Sequence, residues 1–286
     1  MRHTWDTAAE ILGHAGGTVE AMTKTSGTKT ARIKASSLVP GLLGLLLLTG
    51  ACAAQPAATA GAESAATAAS GGQGLSKVLF IGDSIAVGEA VPLTEAFAAA
   101  DVRFQSLASE GGGNVVGPFS DKKWQKLPKE IAAAEPSVVI YQITTFDWGS
   151  AKEQQAAYRK LLSTVTGAGA KLVFVTMPPI KPDDFYRPHM AELERAPAAA
   201  RAVAKASSGQ ATVLDASAVW GSAYQRNKDG KPDRSSDGIH SCPQGAARFT
   251  VWLLDELAER FPGFTPADPK AWANTGWADD KHFKGC

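Results

Sequence analysis

This sequence predicts an α/β domain built on a parallel sheet flanked by helices, and three observations carry that reading. Short apolar runs rich in β-branched and aromatic residues alternate with helix-favouring stretches from Lys77 to Phe261, the order expected of successive βα units. The runs are continuously apolar, as strands buried on both faces must be. The first run, Val78-Leu-Phe-Ile81, ends abruptly in Gly82-Asp83-Ser84, and the carboxyl end of such a strand is where an open parallel sheet holds its ligand.

The strand candidates are Val78 to Ile81, Val102 to Leu107, Val138 to Ile143, Leu172 to Thr176 and Thr212 to Leu214. Between them, Glu95 to Ala100, Leu127 to Glu135, Lys152 to Thr166 and Met190 to Ala206 carry Ala, Leu, Glu, Lys and Arg at helix-favouring density. Pro178-Pro179 ends the fourth strand. A last helix opens at Pro243, a residue suited to the first helical position, and Phe249, Trp252, Leu253, Leu257 and Ala258 are expected on its buried face. The tail from Pro262, with Trp272 and Trp277 among Pro, Asp, Asn and Gly, reads as irregular structure wrapped on the domain.

Chemistry is concentrated at the two ends of this run. A serine hydroxyl is a poor nucleophile until an imidazole takes its proton, and the imidazole needs an anion to fix its tautomer. Ser84 follows the first strand, and of the three histidines in the domain, His189, His240 and His282, His240 is favoured because Asp237 lies three residues earlier on a short glycine-containing loop that lets the carboxylate fold back to the ring. That loop lies just before the last helix. The pattern therefore reads as a serine nucleophile, Ser84, a base, His240, and an orienting carboxylate, Asp237. Taken alone, Gly82-Asp83-Ser84 is also a turn and a helix cap, a role compatible with catalysis.

These residues resemble the SGNH, or GDSL, hydrolases, whose first block is Gly-Asp-Ser and whose last is Asp-x-x-His; the resemblance covers Lys77 to about Phe261. It implies a three-layer α/β/α sandwich with a flavodoxin-like, five-stranded parallel sheet, and catalysis by Ser84, His240 and Asp237 without metal or cofactor. It also implies an oxyanion hole made by the backbone amide of Ser84, a glycine of a second block and an asparagine of a third. The second block matches Ala108-Ser-Glu-Gly-Gly-Gly-Asn114, with Gly111 or Gly112 as donor. The third departs from the pattern: Thr144-Thr-Phe-Asp-Trp148 contains no asparagine. Either Thr145, Thr144 or Gln142 substitutes, or the enzyme is slow, or its chemistry has drifted, with Asn114 as a further candidate donor; Asp147 and Trp148 either line the acceptor side or, as is commoner for such residues, are a capping carboxylate and a buried aromatic. The Gly-Gly-Gly second block and aromatic-Asp third block are similar to the SGNH domains of envelope acyltransferases. The expected activity is hydrolysis of short acyl esters, including O-acyl groups of cell-envelope glycans. Transfer to an envelope sugar at the same site, or non-catalytic envelope binding, are the alternatives.

The first quarter of the chain has a different composition. Lys24, Lys29, Arg32 and Lys34 precede an apolar run from Leu38 to Leu48 that is short for a membrane span, so residues 1–52 read as an export signal, for which Met22 is an alternative start. Leu48-Thr-Gly-Ala-Cys52 resembles a bacterial lipobox, which implies lipidation of Cys52 and attachment to the outer face of the cytoplasmic membrane. Cleavage by an ordinary signal peptidase, giving a secreted protein, is the other outcome. Residues 53–75, mostly Ala, Thr, Ser and Gly, read as a disordered tether and 76–286 as the folded domain. In an exported chain the even pair Cys242 and Cys286 is expected to form a disulfide. From Ser76 onward there are 24 basic and 24 acidic residues and no basic face, so nucleic acid is not an expected partner. The sequence is silent on oligomeric state.

Overall fold

A computed structural model describes residues 74–286. The expected export signal, the lipidation at Cys52 and nearly all of the expected tether lie outside the described residues. Leu75, the last residue assigned to the tether, is buried and packs with Val78 and Phe80, so the folded domain begins slightly before Ser76.

Five parallel strands form the sheet: β1 (Lys77–Ile81), β2 (Arg103–Ser106), β3 (Val138–Gln142), β4 (Lys171–Val175) and β5 (Ala211–Leu214), in the spatial order β2-β1-β3-β4-β5. Each is followed by a helix or leads to one: α1 (Ser84–Ala99), α2 (Ser120–Ala134), α3 (Ala151–Gly167), α4 (Met190–Lys205), the single turn α5 (Ser217–Trp220) and α6 (Pro243–Arg260). A small antiparallel ribbon, β6 (Asn227–Lys228) with β7 (Lys231–Pro232), lies between α5 and α6.

Because strand side chains alternate between faces, the central strands divide their residues between two cores. Val78 and Phe80 of β1, Ile140 of β3 and Val173 of β4 pack with Leu93 and Phe97 of α1 and with Phe249, Leu253 and Leu257 of α6. Leu79, Ile81, Tyr141 and Phe174 face the other way, onto Ile131 of α2, Leu161 of α3 and Ala199 of α4. The result is the three-layer α/β/α sandwich expected. Burying one Leu or Phe in such a core is worth about 1.5–3 kcal/mol, so these two faces dominate the stability of the domain.

Four local expectations need correction. α1 starts at Ser84 rather than near Glu95: the Asp83 side chain caps it by accepting from Ile85 N–H, and burial of Ile85, Leu93, Ala96 and Phe97 offsets the poor helix character of Gly88 and Pro92. α2 starts at Ser120, after Phe119 in a left-handed conformation, instead of at Leu127. β2 is an edge strand with mostly exposed residues, because only β1 pairs with it. On α6 the buried stripe runs through Ala246, Phe249, Leu253, Leu254 and Leu257, leaving Trp252 and Ala258 partly exposed at its margins.

Cys242 and Cys286 are joined, across a sequence separation of 44 residues. The bridge fastens a tail whose Trp272, Trp277 and Phe283 are buried against α1 and α6. Closing a loop of that length stabilises by about 4 kcal/mol in the chain-entropy model. A Cys242→Ser, Cys286→Ser variant is expected to unfold at a markedly lower urea concentration with a somewhat larger m-value, because the unfolded chain loses its cross-link, and an unshifted midpoint would contradict the bridge's role.

Candidate active site

The strand order reverses between β1 and β3, so β1 is flanked by strands whose connections leave in opposite directions, and a crevice opens beyond its carboxyl end. Ser84 sits there as the first residue of α1. The turn that delivers it demands glycine at position 82, where a Cβ would lie 2.5 Å from the Ala86 Cβ. Asp83 is buried; its Oδ1 accepts from Ile85 N–H at 3.0 Å, while Oδ2 accepts from the N–H of Thr145 at 2.7 Å and from its hydroxyl at 2.8 Å. Burial raises the pKa of Asp83, against the lowering pull of these hydrogen bonds.

The other half of the site comes from the loop before α6. His240 Nε2 lies 2.8 Å from Ser84 Oγ, and His240 Nδ1 lies 2.7 Å from Asp237 Oδ2. The remaining carboxylate oxygen of Asp237 accepts from the amides of Ile239 at 2.7 Å and His240 at 3.0 Å. Burial acts to raise the pKa of Asp237, but the hydrogen bond and charge of His240, with the two amides, outweigh it and hold the carboxyl well below its usual range. An ionised Asp237 assigns the proton to Nδ1, so Nε2 is left to accept from the serine hydroxyl. The three residues singled out from the sequence, 156 positions apart at their extremes, are thus in one hydrogen-bonded line. His240 is largely covered, with 18% of its side chain exposed, whereas Asp237 keeps 40%.

The expected oxyanion donors are placed differently. Both donors of Thr145 are spent on Asp83, so this residue ties the third block to the nucleophile turn and has no hydrogen left for substrate. Thr144 bonds Asp147 and receives Phe146 N–H; the Gln142 amide donates to Glu89 at 2.6 Å. Asn114 donates to the carbonyls of Val116, Pro118 and Phe146, pinning its own loop to the third block. Gly111 is exposed, with open space where a Cβ would stand, and Gly112 is buried. The glycine pressed against the nucleophile turn is Gly113: it has φ +85°, and a Cβ there would fall 1.9 Å from Gly82 O. The neighbouring bond from Ser109 N–H to Gly82 O, at 3.1 Å, brings the loop in. Among the described residues no main-chain carbonyl accepts from the N–H groups of Gly112 and Gly113, and Ser84, in the first turn of α1, has no preceding turn to bond.

Asp147 is an internal brace and does not line the site. Its carboxyl accepts from Tyr141 at 2.7 Å, Tyr158 at 2.8 Å and Thr144 at 3.2 Å, and burial raises its pKa to about 7 in spite of them. Trp148 is partly exposed; it donates through Nε1 to Thr145 O and stacks on His189 at 3.5 Å between centroids. With Phe185, Met177 and Tyr186 it forms an apolar wall that packs with Ile85 and Ile239, the residues adjoining Ser84 and His240. Neither other histidine competes as base: His189 bonds Glu192, and His282 lies between Asp280 and Glu110. Among the described residues no group of three or more His, Cys, Asp or Glu side chains is placed to hold a metal ion.

No family model matches the chain, and no curated protein matches it. Among solved structures, it is similar to a Slackia heliotrinireducens protein assigned to the SGNH hydrolases, at 16% identity over 63% of this chain and 97% of that one, with a TM-score of 0.47. A catalytic variant of Axe2, an acetylxylan esterase from Geobacillus stearothermophilus, shares 14% identity over 68% and 96% of the two chains, with a TM-score of 0.48. LAE5, an α/β hydrolase from the metagenome of Lake Arreo, Spain, shares 17% over 65% and 94%, with a TM-score of 0.45.

Proposed function

We propose that this chain is a serine ester hydrolase of the SGNH type, acting on short acyl esters. The observation that carries the reading is the unbroken line from Ser84 Oγ through His240 to Asp237, with contacts of 2.8 Å and 2.7 Å, in the crevice beyond β1. In this reading the serine oxygen attacks the ester carbonyl while its proton passes to Nε2. The imidazolium, stabilised by Asp237, then protonates the departing alcohol, leaving an acyl-enzyme. Water enters, gives its proton to the same nitrogen, and its hydroxide carbon bond replaces the serine ester; the serine recovers its proton as the acid leaves.

Developing negative charge on the carbonyl oxygen is met by the amide of Ser84 at the start of α1 and by the amides of Gly112 and Gly113. The side-chain donors of the third block are all engaged elsewhere, and one missing donor costs about a hundredfold or more in rate. A slow enzyme is therefore expected. The wall of Trp148 and Phe185 beside the nucleophile supports a leaving alcohol with an apolar face, such as a sugar ring of an envelope glycan. The disulfide and the signal-like residues 1–52 support action outside the cytoplasm, with Cys52 lipidation as the means of membrane attachment.

Intact-mass measurement after incubation with a fluorophosphonate, and separately with acetylated and succinylated donors, tests this. A single adduct on Ser84 and release of the free acid are expected; absence of both adduct and turnover would falsify the reading. Acyl product accumulating on an added glycan, without free acid, would instead identify transfer.

A further inference from the structure

The loop that presents His240 is held from its inner side by Arg234, a residue with no role in the chemistry above. Arg234 is 2% exposed, and its guanidinium donates to three main-chain carbonyls: His240 O through Nε at 3.3 Å, Pro179 O through Nη1 at 2.7 Å, and Ile239 O through Nη2. Two of these acceptors belong to the base loop and the third to the segment leaving β4. The rings of Trp220 and Tyr224 lie 5.2 Å and 5.5 Å from the guanidinium carbon. The adjacent carboxylate, Asp233, is turned away into an ion pair with Arg248 at 2.7 Å.

The peptide of Ile239 and His240 is therefore gripped on both edges. Its amides face outward and are taken by Asp237 Oδ1; its carbonyls face inward and are taken by Arg234, with Ser235 N–H adding 2.8 Å to His240 O. Two fixed edges leave the peptide plane no rotation, and that plane sets where the imidazole of His240 stands. A buried cation carries a large desolvation cost, which an apolar residue would avoid and the more strongly hydrated ammonium of a lysine would raise. What neither supplies is a planar fork of five donors able to meet three carbonyls at once.

We propose that Arg234 is a positioning residue for the base: it fixes the main chain of Ile239 and His240 so that Nε2 stays within hydrogen-bonding reach of Ser84. Buried Glu89 on α1, five residues beyond Ser84, faces the same interior. Burial raises its pKa well above the usual value, against the opposing pull of Gln142 and of the Arg234 charge. The base loop and the nucleophile's helix thus share one internal electrostatic environment.

The assignment of a rate effect rests on the esterase reading, so the test carries a second readout that does not. Arg234→Lys and Arg234→Ala are compared with the wild type for kcat and KM on a short p-nitrophenyl ester, for thermal midpoint, and for the NMR resonance of the His240 Nδ1 proton bonded to Asp237. Arg234→Ala is expected to lower kcat by about a hundredfold, the usual cost of an ångström-scale misplacement, with KM nearly unchanged and the Nδ1 resonance broadened. Guanidinium ion at a non-denaturing concentration is expected to restore both in part. Arg234→Lys keeps a basic side chain without the planar fork and is expected to recover only part of the rate, so, read against its own thermal midpoint, it decides the matter if the alanine variant does not fold. Unchanged kcat and resonance in both variants would overturn the inference, as would losses that appear only in KM or follow the unfolded fraction without rescue. A wild type that shows the resonance but turns over no ester would refute the esterase reading alone, and the resonance in the variants would still decide the role of Arg234.

Discussion

Alanine at Ser84 is expected to lower kcat for a short ester by at least about a thousandfold, and alanine at His240 to do the same. The double variant should be no slower than either single one, because residues that act as a unit lose their effect together. The 2.8 Å contact between Ser84 Oγ and His240 Nε2 is the basis of this expectation: without the imidazole the hydroxyl keeps its proton, and without the hydroxyl the imidazole has nothing to activate. Losses that multiplied in the double variant would mean that the two side chains act separately. Binding should survive, so KM is expected to move little; Ser84 is partly exposed, and removing its hydroxyl leaves no buried polar group behind.

Asparagine at Asp237 is the second large effect, expected at about a hundredfold to ten-thousandfold in kcat, the upper figure being that for an orienting carboxylate replaced by its amide. The carboxylate accepts the Nδ1 proton at 2.7 Å and two amide protons at 2.7 Å and 3.0 Å. An asparagine oxygen can keep the amides, but its NH2 then faces Nδ1 and favours the tautomer protonated on Nε2. Ser84 would meet a donor where it needs an acceptor. The variant is expected to fold normally and to bind substrate with nearly the wild-type KM. Because Asp237 is held well below the usual carboxylate pKa, it stays ionised throughout the mildly acid range. The acid limb of the wild-type rate profile is then expected to carry no contribution from Asp237. A wild-type rate in Asp237→Asn would remove the carboxylate from the mechanism.

Much of this architecture was legible in advance. Buried parallel strands must be continuously apolar, so β1, β3, β4 and β5 announce themselves as short runs such as Val78 to Ile81. Gly82-Asp83-Ser84 and Asp237 to His240 were legible because catalysis needs particular atoms and few residue types supply them. The cysteine pair was legible for the same reason. The start of α1 was harder, because Gly88 and Pro92 are poor helix formers and what offsets them is mostly tertiary, the burial of Ile85, Leu93, Ala96 and Phe97.

The fate of the third-block side-chain donors was not legible. Thr145, Thr144, Gln142 and Asn114 all carry the right kind of hydrogen, and each spends it on a buried acceptor that lies close only after folding: Asp83, Asp147, Glu89 and the carbonyls of the 114–118 loop with Phe146. Gly113 was hidden among three consecutive glycines; what separates it from Gly111 is the Gly82 carbonyl lying where its Cβ would be. Arg234, three residues before Asp237, has the look of a surface charge in a Lys-Pro-Asp-Arg-Ser-Ser stretch, and only its 2% exposure and three carbonyl partners reveal it.

By itself, then, the sequence pointed to the layers, to the disulfide and to Ser84, His240 and Asp237, the three side chains that the fold brings into one hydrogen-bonded line, because each follows from a periodicity or from the scarcity of a reactive group. Tertiary structure alone decided which donors stay free for a substrate and which side chain steadies the base. A residue's identity states what it can donate or accept, but a hydrogen goes to whichever acceptor the fold brings within about 3 Å.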